Sequence, residues 1–171
     1  LALAYKKNNN FNEGLASLDK LLEKYPKNLV LNTTKVEFLS YFNKFNDALD
    51  LANKFLEISP KNYPLSISKS QILLNMGQYF ESEEIIRDQL LRKNDSPDLW
   101  FMLSETQKTS QNIVGYHQSR AEYFLLLGQD EKALNQLEFA LQLTQNNFQV
   151  SDRIMTKIIE IKKSLQNSRG L

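Results

Sequence analysis

Few residues in this chain could do chemistry. His117 is the single histidine among 171 residues and cysteine is absent. A metal site with two imidazoles, a thiolate site and a disulfide are therefore beyond it. No H-E-x-x-H occurs to set two ligands and a general base on one helix face. A relay between His117 and Ser119 fails on geometry, because a two-residue spacing puts the side chains on different faces of a helix. The five glycines mark turns and helix ends, and neither G-x-x-x-x-G-K-S/T nor G-x-G-x-x-G is present to cradle a phosphate. What remains is recognition chemistry: recurring glutamates with amide, aromatic and aliphatic neighbours, suited to holding a polypeptide segment.

Composition narrows the class further. The net charge is +1, from 21 basic and 20 acidic residues, and it is spread evenly. Residues 1–60 carry 8 basic and 7 acidic, 61–128 carry 7 and 8, and 129–171 carry 6 and 5. No segment builds the one-sided basic field that a phosphate backbone requires, which argues against nucleic-acid binding. No apolar run approaches the ~18 residues of a membrane span, and no signal-like leader is visible. The sequence opens at Leu1 within a helical pattern, so a fragment is expected, one that a signal or a catalytic domain could have preceded. Lack of cysteine does not choose between cytosol and periplasm.

The elements that position these residues come from an internal repeat. Pro26 and Pro60 lie 34 residues apart, each closing a helical pattern, and Asn28 and Asn62 follow them by two residues. Phe11, Phe45 and Tyr79 share the period, as do Gly14, Ala48 and Ser82. An aromatic thus opens each second helix, and a small residue three positions on lets two helices approach closely. This is the period and pattern of the tetratricopeptide repeat.

A fourth copy starts well with Trp100, Leu103 and Ser104, but its second helix would put Tyr116 and Tyr123 at the small positions. Ser82 to Ala133 is 51 residues, one and a half periods. The helix near 113–127 is therefore expected to serve twice, closing the fourth hairpin and opening a fifth with Ala121, Phe124, Gly128, Ala133, Leu137 and Ala140. The pattern predicts helices over 1–8, 11–24, 28–42, 45–58, 62–76, 79–93, 97–110, 113–127, 130–143 and 148–166. The last carries Ile154, Ile158, Ile161 and Leu165 on one face. Arg153, Lys157, Lys162 and Lys163 lie off that face, as expected of a solvating cap.

The fold expected is an all-α, right-handed tetratricopeptide-like superhelix of about ten antiparallel helices. It has a half-repeat step near 113–127 and a C-terminal capping helix. Its repeats are 1–27, 28–61, 62–95, 96–127 and 113–145, with cap and tail at 146–171. Glu37, Gln71, Glu105 and Glu122 fall at one repeat position, on the inner face of the first helices. With Thr33, Tyr41, Ile67, Phe101, Gln118 and Leu125 they would line a concave groove for an extended or helical segment. The competing reading is structural: these glutamates pair locally, Glu105 with Lys108 or with Arg120. Phe11, Phe38, Phe42, Phe45, Phe55, Phe80, Trp100, Phe124 and Phe139 are expected in the core, and His117 at a helix-contact position. The Lys/Arg and Asn clamp that holds chaperone C-terminal carboxylates is missing, since the groove pairs are Thr33/Glu37, Ile67/Gln71, Phe101/Glu105 and Gln118/Glu122.

One narrower resemblance is carried by Pro97-x-x-Trp100-x-x-Leu103-Ser104-Glu105 and by His117-x-x-Arg120-Ala121-Glu122-Tyr123-Phe124-x-x-x-Gly128. It continues through Ala133-Leu134-x-Gln136-Leu137-x-x-Ala140-Leu141 and Asn146-Asn147-Phe148 with Arg153. This order resembles the C-terminal repeat region of the β-barrel assembly-enhancing protease, a family of periplasmic zinc metallopeptidases. The resemblance implies a periplasmic location and a zinc protease domain upstream. It also implies an array contacting that domain, the outer-membrane β-barrel assembly machinery or misassembled barrel substrates. The zinc-site residues lie outside this chain, so no catalytic, cofactor-binding or metal-binding residue is carried over. The alternative is a generic tetratricopeptide scaffold of a cytoplasmic or secretion complex without a protease.

Overall fold

The structure, a computed structural model, describes residues 10–144 and 146–169, and the helix expected over 1–8 lies outside them. The described residues form helices α1 (Phe11–Lys24), α2 (Leu29–Tyr41), α3 (Phe45–Ile58), α4 (Tyr63–Asn75), α5 (Tyr79–Arg92), α6 (Pro97–Thr109), α7 (Ile113–Leu126), α8 (Asp130–Leu143) and α9 (Phe148–Arg169). No strand occurs among them. The chain divides into two compact units, Leu1–Ile85 and Ile86–Leu171, each described by itself below.

Two kinds of connection alternate, and each has a local cause. The tight kind ends α2, α4, α6 and α7. A residue with left-handed backbone follows each helix: Asn43 (φ 57°), Gly77 (φ 78°), Gln111 (φ 62°) and Gly128 (φ 68°). The next amide then reaches back over the last turn, Lys44 N–H to the Leu39 carbonyl at 2.9 Å and Gln129 N–H to the Phe124 carbonyl at 2.9 Å. This closure satisfies carbonyls that a helix end otherwise leaves unpaired. The open kind leads into α2, α4 and α9, where the side chains of Asn28, Asn62 and Asn147 accept from the amides of Leu31, Leu65 and Val150. Position four of α2, α6 and α9 ties down the linker before it. Asn32 Nδ2 donates to the Pro26 carbonyl at 3.0 Å, Trp100 Nε1 to the Asn94 carbonyl at 2.8 Å, and Ser151 Oγ to the Thr144 carbonyl at 2.6 Å.

The left-handed residues 43, 77 and 111 are one period apart, whereas 128 follows 111 by half a period. Helix α7 is thus entered and left by the same kind of turn. It starts as the second helix of a hairpin and ends as the first helix of the next. It packs on α6 and on α8 to the same extent.

In the first unit the core is Val36, Leu39, Ala48, Ala52, Phe55, Leu65 and Ile72, each side chain worth ~1–3 kcal/mol of transfer free energy according to size. Helices α4 and α5 meet at a pair of small residues, where Ser82 Oγ donates to the Ser70 carbonyl at 2.9 Å and the two hydroxyls lie 3.0 Å apart. The core of the second unit joins Ala121, Ala133, Leu137 and Ala140 to Ile154, Ile158 and Ile161 of α9.

Three expectations need correction. The fourth hairpin does have its small pair. It is Gly115 and Ser119, both buried, in place of Tyr116 and Tyr123, to which the repeat register points. A Cβ on Gly115 would come within 2.8 Å of Gln107 Nε2 and 2.6 Å of Asn112 Nδ2, so α6 and α7 approach as closely as glycine allows. Second, Phe80 and Phe139 are exposed rather than core. They sit about 100° around the helix from the neighbours that do pack inward, Phe80 from Tyr79 and Phe139 from Ala140. Third, the outer face of α9 is not wholly polar: Met155 and Ile159 stand open on it.

Candidate partner-binding face

In the first unit, α2 and α4 are the first helices of consecutive hairpins and pack side by side. Ser68 Oγ donates to Glu37 Oε1 across them at 3.5 Å. Glu37 and Gln71 are exposed, and Gln71 Nε2 donates to Asn75 Oδ1 at 3.2 Å. Tyr41 is exposed, with its ring edge-on to Phe42 at 5.1 Å. Ile67 is half-buried. Thr33 is buried, and its hydroxyl donates to the Leu29 carbonyl at 2.8 Å. This half of the set therefore presents Glu37, Tyr41, Gln71 and the edge of Ile67.

The second unit is built around a residue outside the expected set. The Arg120 guanidinium carbon lies 4.5 Å from the Phe101 ring centroid, 5.1 Å from that of Tyr123 and 5.6 Å from that of Phe124. Its Nη1 is 3.6 Å from Glu105 Oε1. That distance is a Coulombic contact rather than a hydrogen bond, and Nη1 is buried with no hydrogen-bond partner. Three π faces around one cation supply the attraction the carboxylate only partly gives. Phe101 stays exposed on its other side and lies 5.5 Å from the Tyr123 ring.

Glu122 forms an ion pair with Lys157 of α9, and both side chains are partly screened from water. Gln118 and Leu125 are half-buried, Leu125 packed on the core shared with α9. The glutamates at the common position therefore bridge neighbouring first helices: Glu37 to α4, Glu105 to α7, Glu122 to α9. The Arg120 bridge was legible in sequence. Lys157 was not, since 35 residues separate it from Glu122 and spacing alone does not reveal that contact.

His117 occupies a contact position. Its Nδ1 is hydrogen-bonded to Gln136 Oε1 at 2.8 Å, and its ring lies 5.5 Å from that of Phe139. Among the described residues no group of three His, Cys, Asp or Glu side chains could hold a metal ion, and no helix is long and apolar enough to cross a membrane. The arrangement offers charge, amides and ring faces on a prebuilt helical surface.

Fold and face together define an all-α repeat protein of the tetratricopeptide type. No protein-family model and no curated protein sequence matches the chain. Among solved structures, residues 41-end of MamA from Desulfovibrio magneticus RS-1 are similar with a TM-score of 0.64 at 13% identity, over 95% of this chain and 92% of that one. The thermophilic tetratricopeptide repeat protein TTC0263 of Thermus thermophilus gives 0.54 at 13%, over 93% and 96%. A chain in the structure of Naa15/Naa10 bound to HypK-THB gives 0.57 at 18%, over 97% of this chain and 34% of that one. At such identities the likeness concerns the fold.

Proposed function

We propose that this chain is a protein-interaction module that holds a segment of a partner on exposed side chains of its first helices, those of α6 and α7 in the second unit above all. The observation that carries the reading is the exposed ring of Phe101 beside the Arg120–Glu105 contact, with Tyr41, Glu37 and Gln71 presenting a similar mixture in the first unit. Because α6 and α7 fix Phe101 before any partner arrives, binding would not require the receptor surface to be ordered. A helical repeat scaffold suits this role, and a chain with a similar stretch of fold occurs in the structure of Naa15/Naa10 bound to HypK-THB.

The finer reading rests on the sequence resemblance. In it the chain is the recruiting part of a periplasmic zinc protease, and its partners are components of the outer-membrane β-barrel assembly machinery or misassembled barrels. A scaffold of a cytoplasmic or secretion complex is the alternative. Photo-crosslinking from position 101 in cells tests the face. Adducts with barrel-assembly proteins, weakened by Glu105→Gln at unchanged helicity, support the finer reading. Adducts with cytoplasmic proteins alone would sink it and leave the interaction module standing. Absence of any adduct from positions 41, 71 and 101 would sink both.

A further inference from the structure

The position that faces the following helix is fully covered in α2, α4, α6 and α7, where it is Val36, Ser70, Ser104 and Ala121. Asn147 caps α9 as Asn28 caps α2, so counting from the cap puts Met155 at that same position. Met155 is 47% exposed, and Ile159, one turn on, is 60% exposed. Helix α9 continues to Arg169 with no left-handed residue at the place where the other first helices stop. Among the described residues no helix covers that face, and its open stripe reads Phe148, Asp152, Met155, Ile159, Lys163 at helical spacing.

That stripe is complementary to itself reversed. The midpoint of Met155 and Ile159 falls within half a residue of the midpoint of Asp152 and Lys163. Asp152 and Lys163 lie ~16 Å apart along the axis, and both are exposed. Against an antiparallel copy, Met155 meets Ile159 and Asp152 meets Lys163, while Phe148 lies beyond them toward Gln166 of the other copy. A foreign helix would have to reproduce the same order. A net charge of +1 leaves little repulsion between copies.

We infer that two copies of this chain associate through α9, antiparallel, with Met155 of each against Ile159 of the other and Asp152 of each against Lys163 of the other. This is an isologous contact, closed by a two-fold axis. One helix pair is a small interface, so the dimer is weak, with a dissociation constant on the order of micromolar or above. The inference is independent of the first-helix face and stands or falls without it.

Sedimentation of the full chain across a concentration series should show a monomer–dimer equilibrium. Met155→Glu with Ile159→Glu should weaken it about 100-fold while the circular dichroism and urea midpoint stay put, as expected at exposed positions. Asp152→Lys should weaken it, and Asp152→Lys combined with Lys163→Asp should restore it, an outcome that a merely structural effect cannot produce. Because the chain has no cysteine, Met155→Cys and Ile159→Cys chains carry one thiol each. A mixture should form the mixed disulfide in preference to either symmetric one. A chain that stays monomeric at millimolar concentration, a dimer indifferent to the double glutamate variant, or symmetric disulfides as abundant as the mixed one would each overturn the proposal.

Discussion

The guanidinium carbon of Arg120 lies 4.5 Å from the centre of the Phe101 ring, so α6 and α7 are joined by a cation on an aromatic face as well as by apolar packing. Its carboxylate neighbour Glu105 is farther than a hydrogen bond and about two-fifths exposed, so solvent screens that term. The ring contact should therefore dominate. Phe101→Ala and Arg120→Ala are each expected to lower stability by about 1–3 kcal/mol, and Glu105→Gln by less than about 1 kcal/mol. Arg120→Lys should fall between, because an ammonium keeps the charge and loses the planar stack. Urea unfolding of the four variants ranks them. A Glu105→Gln loss as large as that of Phe101→Ala would reverse the assignment.

Gly115 faces Gln107, whose side chain is buried and accepts from Ser119 Oγ at 2.7 Å. A methyl group there would displace two side-chain amides at once. Gly115→Ala is expected to cost about 1–3 kcal/mol, although alanine is the better helix former. A rise in thermal midpoint would show that the amides move aside freely.

Gln111 holds a φ of 62° and Asn43 one of 57° in equivalent turns. Asparagine tolerates this region better than glutamine does, so Gln111→Gly should stabilise by about 1 kcal/mol and Asn43→Gly by less. The check is the difference between the two urea midpoints, with Gln111→Gly the higher.

Asn62 caps α4 by accepting from the Leu65 amide at 3.0 Å. Asn62→Ala should lose about 1 kcal/mol, whereas Asn62→Asp should lose little. Equal losses would mean the side chain acts through something other than the cap.

Much of this was legible in the sequence because its signals are local. The spacings of Pro26 and Pro60, of Asn28 and Asn62 and of Phe11, Phe45 and Tyr79 each report on short stretches of chain, and they place the described helices to within about a turn. The half-period step was legible too, from the distance between Ser82 and Ala133. The rotation of α7 about its axis was not. The turn at Gln111–Asn112 keeps the period of its counterparts, and only the fit of Gly115 against Gln107 shows which face α7 turns to α6. At the candidate face, the sequence found the glutamates but, of their partners, only Arg120. Lys157 reaches Glu122 from another hairpin, and Arg120 is held by rings rather than by the charge that sequence spacing points to.

Helix α7 closes one hairpin and opens the next, and every residue from Val114 to Leu125 is at least partly shielded from water. It therefore has no solvent side along which to fray or open alone. Its amides can reach deuterium only when the packing of two hairpins is given up together, so they belong to the largest cooperative unit of their half of the chain. Hydrogen exchange should find residues 114–125 the slowest in the second unit, with α8, which exposes Asn135, Glu138 and Gln142, faster. In repeat proteins whose hairpins can melt one by one from the ends, a helix owned by two neighbours acts as a lock on stepwise unfolding.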